Sequence, residues 1–223
     1  MPGLEAAAKI AGADDFAEAF KVPRETIHRL VRYAELLAHW QKTTNLIASS
    51  TLPHLWSRHF ADSAQLLTLA KNARLWLDLG SGAGFPGLVV AILEAGRPGF
   101  HMHLVESNRK KCAFLAQVTR ETKAPVDIHA MRIEDLAESA QSLKPDVVSA
   151  RALAPLPRLF ELASPFFGPA TRGLFLKGQE AEAEIDAARA AWDFSARLHP
   201  SLTSSESPIV EVSGLRARGG GTP

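Results

Sequence analysis

The stretch Leu75-Trp76-Leu77-Asp78-Leu79-Gly80-Ser81-Gly82-Ala83-Gly84-Phe85-Pro86-Gly87 decides the fold. A short apolar run breaks into four glycines within eight residues, and Leu88 to Leu93 then reads as a buried helix. Strand, glycine turn and helix in that order open a βαβ unit. Downstream, the pattern predicts a strand over Met102 to Glu106, a helix over 108–123 with a basic first turn, and strands at Val126–Met131, Asp146–Ala150 and Gly173–Lys177. Helical stretches are expected at 155–163 and 179–191, and residues 194–199 with 208–212 as a closing hairpin. The alternation argues an α/β protein with a Rossmann-like, doubly wound, mostly parallel sheet.

Upstream, residues 1–72 read as a helical extension. Val22-Pro23 marks a helix start, and Ile27, Leu30, Val31, Ala34, Leu37 and Ala38 follow at three- and four-residue spacing. A second continuous helix is expected from Leu52 to Leu69. This gives an N-terminal helical extension over 1–72, a cofactor-binding domain over 73–215 and a frayed tail over 216–223. No internal repeat is visible.

Composition narrows the function classes. The 223 residues are 46% hydrophobic and 22% charged, which suits one packed domain with an appendage. The net charge of +1 does not announce a nucleic-acid binder. The single cysteine, Cys112, excludes an internal disulfide framework and a multi-cysteine zinc site, and His59 lacks a convincing partner, so no metal is expected. No run approaches the ~18 apolar residues of a membrane span. Glu5, Asp14, Asp15 and Glu18 in the first twenty residues predict no secretory leader, hence a cytoplasmic protein.

The glycine turn sits where open sheets bind ligands. Gly82, Gly84 and Gly87 also match the dinucleotide spacing, so a nicotinamide or flavin cofactor is one reading. Asp78 opposes it: a carboxylate ~4 Å from a pyrophosphate, at an effective dielectric of ~20, costs roughly 4 kcal/mol. The same carboxylate favours the ammonium of S-adenosylmethionine (SAM), directly or through water. Glu106, ending the second strand, suits a ribose, and Ile133-Glu134 after the third suits an adenine.

These residues resemble a specific family. Asp78 to Gly87, Val105-Glu106-Ser107 with Lys110-Lys111, Arg132-Ile133-Glu134, Ser149-Ala150-Arg151-Ala152 and Leu176-Lys177-Gly178 are similar to the bacterial 16S rRNA methyltransferase G family, also called glucose-inhibited division protein B. Trp40 with Asn45-Leu46 and Arg58-His59-Phe60-Ala61-Asp62-Ser63 extend the resemblance to the N-terminal part. It departs at Gln41 and Thr44, where the family usually has asparagine and tyrosine. The resemblance implies a class I SAM-dependent methyltransferase fold and methylation of guanine N7 in 16S rRNA. It implies SAM contacts at Gly80, Phe85, Ile133, Glu134 and Arg151; residue chemistry adds Asp78, Gly82 and Glu106.

Guanine N7 has an in-plane lone pair and no proton to lose, so positioning suffices and no general base is needed. Arg151 is the one candidate near the reacting end. Residues 20–60 hold Lys21, Arg24, Arg29, Arg32, Lys42 and Arg58 against Glu25 and Glu35, an excess that suits an RNA backbone or the 30S subunit. Lys110, Lys111 and Lys177 would extend this rim, whereas Trp40 and Trp56 read as core. A monomer is expected, with no membrane partner. Competing readings are a NAD-type oxidoreductase or small-molecule methyltransferase on the same sheet, and a non-catalytic ribosome-binding module.

Overall fold

In the computed structural model, residues 10–140, 142–204 and 206–219 are described. Helices α1 (Ala13–Phe20) and α2 (Arg24–Trp40) precede a run of short helical turns. Then follow β1 (Leu75–Leu79), α3 (Gly87–Leu93), β2 (His101–Val105), α4 (Arg109–Thr122), β3 (Val126–His129), α5 (Ile133–Ser139) and β4 (Val147–Arg151). The chain continues through α6 (Leu156–Ala163), β5 (Arg172–Leu176), α7 (Ala181–Ala188), β6 (Trp192–His199) and β7 (Ile209–Ala217). The sheet order is β3-β2-β1-β4-β5-β7-β6. β1 to β5 run parallel, and the β6–β7 hairpin adds antiparallel to β5.

Because side chains alternate along a strand, each strand feeds two cores. Trp76, Met102, Leu104 and Val147 face α2, α3 and α4, while Leu77, Leu79, Val105 and Val148 face α5, α6 and α7. The α2 periodicity is realised: Ile27, Leu30, Tyr33, Leu36 and Leu37 are buried in the first core. The N-terminal helices thus share one continuous core with a face of the sheet. Helix α4 starts at Asn108, whose side chain accepts from the Lys110 and Lys111 amides at 3.0 and 3.2 Å. Trp40 donates to Gln117 and packs on Phe114, and Trp56 packs on Phe60.

Two expectations are corrected. The helix expected over Leu52–Leu69 is broken into a 3-10 turn Ser49–His54, a π-helical stretch Trp56–Ala61 and α-turns Asp62–Ala64 and Leu66–Leu69. Pro53 lies in the 3-10 turn that opens the segment, and the breaks follow downstream of it. The widened turn keeps Phe60 and Ala61 buried while Arg58, His59 and Asp62 line a cleft. The fraying expected from 216 is not seen over residues 216–219. Arg216 and Ala217 complete β7, paired with Asp193 and Trp192, and the Arg218 amide donates to the Ala191 carbonyl at 2.8 Å. Residues 220–223 lie outside the described residues.

The N-terminal layer touches the glycine turn through Tyr33, whose hydroxyl donates to the Ala83 carbonyl while its ring stacks on Phe85. Tyr33 is fully buried. Tyr33→Phe removes that donor and strands a carbonyl, which costs about 1–3 kcal/mol. At about 2–4 °C per kcal/mol for a chain of this size, Tm should fall by several degrees in a thermal melt; an unchanged Tm would contradict the role assigned to this bond.

Candidate functional site

β1 pairs with β2 on one side and β4 on the other, so the sheet reverses its winding at β1. A cleft opens there, at the carboxyl ends of the strands. It has two lobes of about 410 and 450 Å³ that share Gly80, Gly82, Lys111 and Ala152. The first lobe is lined by Thr51, Arg58, His59, Asp62, Phe85 and Arg151. Glu106, Met131, Ile133, Glu134 and Arg158 line the second.

The floor is the glycine turn. Gly80, Gly82 and Gly84 have φ of 64°, 58° and 93°, the left-handed region that favours glycine. A Cβ on Gly80 would lie 2.6 Å from Leu153, whereas one on Gly82 would meet only the Gly80 carbonyl at 3.8 Å. The backbone of Gly82 is therefore open to a ligand. Ala152, at φ 52°, adopts the same left-handed conformation without being glycine and directly follows β4 between the two lobes.

Glu106 is the acid of the cleft. One carboxylate oxygen accepts from the Gly82 amide at 2.9 Å and the other from the Asn108 amide at 2.7 Å, leaving further lone pairs for a ligand diol. Ile133 is buried at the wall, and Glu134 pairs with Arg158 at 2.9 Å. Cys112 is a packing residue whose thiol donates to the Glu106 carbonyl.

Asp78 requires a correction. It is fully buried beneath the turn and lines neither lobe, so it does not face a ligand ammonium in the cleft as the sequence suggested. Its Oδ1 accepts from Ser149 across the β1–β4 pair at 2.7 Å, and its Oδ2 faces the Gly87 backbone. The side chain alternates toward α3 because Asp78 shares the parity of Trp76. Asp78 supports the turn, and from that position it cannot meet a diphosphate in the cleft. A different obstacle to a diphosphate takes its place. The amides of Gly84 and Phe85 donate to the Ser81 carbonyl and that of Leu88 to the Gly84 carbonyl, so they are engaged within the turn.

Arg151 draws the N-terminal layer and β4 together. It donates to the Arg58 carbonyl at 3.2 Å and to His59 Nδ1 at 2.7 Å, lies 3.6 Å from Asp62, and stacks 4.9 Å over Phe85. His59 Nε2 contacts Thr51 at 2.9 Å. Burial, then the Arg151 and Arg58 charges, lower the His59 pKa to about 3, so the ring is neutral and accepts through Nδ1. Asp62 is held by Gln65 and Thr203 at 2.9 and 2.8 Å. Burial raises its pKa, opposed by Arg151.

This His59–Asp62–Arg151 cluster joins residues 92 positions apart, and of the three only Arg151 is named as a site residue in the sequence reading. The 58–63 motif signals the other two by resemblance. Thr203, Ser204 and Ser207, also lining the first lobe, carry no local signal. Gln41, a departure from the family pattern, ties down its own loop: it accepts from the Leu46 and Ile47 amides and donates to the Ile47 carbonyl.

The expected basic surface is redistributed. Arg29 pairs with Glu25, and Arg32 with Glu35 and Glu121, so neither offers a free charge. Lys177 belongs to no rim: partly buried, it pairs with Glu184 at 2.6 Å and donates to the Ala154 carbonyl. Arg109 and Lys110 are exposed in the first turn of α4 beside Lys111, with no ion pair among the described residues. Cations there oppose the helix dipole, so local helix stability does not account for them.

Residues 26–211 match the family described as rRNA small subunit methyltransferase G. The chain is similar to the ribosomal RNA small subunit methyltransferase G of Parvibaculum lavamentivorans, 51% identical over 213 residues that span 95% of this chain and 93% of that one. It is likewise similar to the protein of that name from Bradyrhizobium sp. (strain ORS 278), 46% identical over 220 residues spanning 97% and 99%. Among solved structures it resembles a mutant of MtNAS in complex with S-adenosylmethionine, with TM-score 0.54 and 14% identity over 94% of this chain and 87% of that one. At that identity the likeness is one of fold, the class I methyltransferase fold. Among the described residues, no helix is long and apolar enough to cross a membrane.

Burial places the Asp78 pKa at about 6, with the Ser149 hydrogen bond the largest opposing influence. An unfolded aspartate titrates near ~3.9, so between these values the folded state holds a proton that the unfolded chain has released. The stability from this group is full below about pH 4, falls as pH rises through 6 and is flat beyond. Asp78→Asn lacks the titration. The difference in unfolding free energy between wild type and variant should therefore move by on the order of 2–3 kcal/mol between pH 4 and 7, against wild type at the higher pH. Urea unfolding at both pH values measures it, and a pH-independent difference would contradict the assignment.

Proposed function

The chain belongs to the rRNA small subunit methyltransferase G family, and on that premise we propose that it transfers a methyl group from SAM to N7 of a guanine in 16S rRNA. When bound, SAM supplies an electrophilic methyl group on its sulfonium. Glu106 would hold the ribose hydroxyls, Ile133 and Glu134 the adenine, and the open backbone of Gly82, beside Gly80, the methionyl part. Arg151, stacked on Phe85, stands where a carboxylate or an RNA phosphate would meet it. Asp78 acts from below by holding the turn. The fit rests on two features: the unhindered face over Gly82 and the spare lone pairs of Glu106.

The observation that carries the choice of N7 is the state of His59. It is the imidazole of the lobe that holds Arg151, and its basic nitrogen is already engaged by the guanidinium. With a pKa of about 3 it is a poor proton acceptor at neutral pH. Asp62, the carboxylate of that lobe, is occupied by Gln65, Thr203 and Arg151. An exocyclic amine or a ring N–H must lose a proton on methylation; guanine N7 need not. Holding N7 in line at about 3–3.5 Å then supplies much of the rate. The basic first turn of α4, at the lip shared by both lobes, suits the RNA backbone. Such a substrate places the enzyme in the cytoplasm.

Incubating 30S particles and stripped 16S rRNA with radiolabelled SAM, then mapping by reduction and strand cleavage, should place the label at one guanine as N7-methylguanosine. Label on an exocyclic amine or a ribose would refute the mechanism. Glu106→Gln removes a charged acceptor and should weaken SAM binding about 10-fold or more by calorimetry. The pair Arg109→Glu and Lys110→Glu should weaken binding of a 16S fragment and lower its salt slope by about one for each phosphate no longer neutralised, with the SAM Kd within about twofold of wild type. An equal drop in both affinities would point to misfolding instead.

A further inference from the structure

Far along β2 from the glycine turn, His101 and His103 point to the same side of the sheet, as do Asp127 and His129 on the edge strand β3. Parallel pairing sets His103 opposite Asp127, which stacks four polar side chains on one face where two strands meet. His101 Nε2 lies 3.0 Å from Asp127 Oδ2, and His103 Nδ1 lies 2.9 Å from His129 Nε2. The ring centroids of His101 and His103, and of His103 and His129, are each 5.1 Å apart. One donor atom each from His101, His103 and Asp127 falls within 4.8 Å of the others. His101 Nε2 is shut off from solvent yet makes no hydrogen bond, although the carboxylate stands beside it.

We propose that His101, His103 and Asp127 bind a divalent transition cation of the zinc class, with His129 orienting the His103 ring. Zinc–nitrogen and zinc–oxygen distances of about 2.0–2.2 Å put two ligands of a tetrahedral ion about 3.3 Å apart. The 3.0 Å pair is already near that spacing, and small ring rotations at this half-exposed edge gather the third donor. Imidazole with a carboxylate suits zinc, nickel, cobalt or copper, whereas magnesium requires an oxygen set that this cluster lacks. The orphaned His101 nitrogen then gains a partner. Three protein ligands leave a fourth position for water. A second ring nitrogen held by a neighbour is the usual way a ligating histidine is oriented, which is the part His129 plays.

The placement gives the ion a consequence. β2 runs on into Glu106 and β3 into Met131–Glu134, the wall of the second lobe. The His129 carbonyl accepts from the Glu106 amide at 3.1 Å. An ion bridging β2 and β3 therefore clamps the edge strand next to that wall.

Calorimetric titration of the full chain with ZnCl2 should show one saturable site, and Co2+ should give the visible absorption bands of a four-coordinate ion. Zn2+ at a hundredfold excess over its Kd should raise Tm by about 5–10 °C, with Mg2+ giving no shift. His103→Gln and Asp127→Asn should each weaken Zn2+ binding at least tenfold and abolish the Co2+ bands, and His129→Gln should weaken it about 10-fold. Asp127 is exposed, so Asp127→Asn keeps the test decisive if His103→Gln fails to fold. No saturable binding to wild type, or unchanged affinity in Asp127→Asn, overturns the proposal; the latter places the ion at another histidine.

Discussion

The rest of the structure depends on how closely the start of α3 lies against β1. A Cβ on Gly87 would stand 2.7 Å from the Asp78 Cβ, 2.8 Å from its Oδ2 and 2.5 Å from Leu104, so only glycine lets helix and strand meet. That approach has a direct electrostatic result. It seals Asp78 from water, which raises its pKa against the opposing Ser149 hydrogen bond. It also fixes where the chain must turn. The left-handed glycines between Leu79 and Gly87 bend over the sheet end, and their exposed backbone becomes the floor of the cleft.

Around that floor the two layers of the molecule are interlocked. Tyr33 reaches from α2 to the Ala83 carbonyl, while Arg151 reaches from β4 back to His59 and Asp62. Phe85 lies between the Tyr33 ring and the Arg151 guanidinium. Helices outside the sheet domain thus supply one side of the cleft, and the site is incomplete without them. Lys177 braces the opposite side by holding Ala154 and Glu184, and Glu184 in turn accepts from the Leu156 amide at the start of α6.

Much of this was legible residue by residue. Strand and helix periods located β1 to β5 and most helices within a few positions, because alternation and three- to four-residue spacing follow directly from side-chain direction. The glycine turn, Glu106 and Ile133–Glu134 were legible as a ligand cleft, since they occupy the strand ends where open sheets bind. The segment from Leu52 to Leu69 was not: its apolar spacing fits a continuous helix, and the widened turn shows only in the packing that buries Phe60 and Ala61. The Arg29 and Arg32 surface misled for a related reason. Counting charges along the chain ignores partners such as Glu121, which is 89 residues from Arg32.

The sequence by itself determined the doubly wound sheet, the position of its ligand turn and the family, because these are written in local periodicity and in short contiguous motifs. Tertiary structure alone decided which way each polar side chain faces and what it meets. Asp78 turned inward to Ser149, Arg151 found His59 and Asp62, and three histidines and an aspartate gathered on one edge of the sheet. The physical reason is that strand parity and register bring together groups far apart in the chain, and the partner a charge finds there, rather than its residue type, sets its proton affinity and its role.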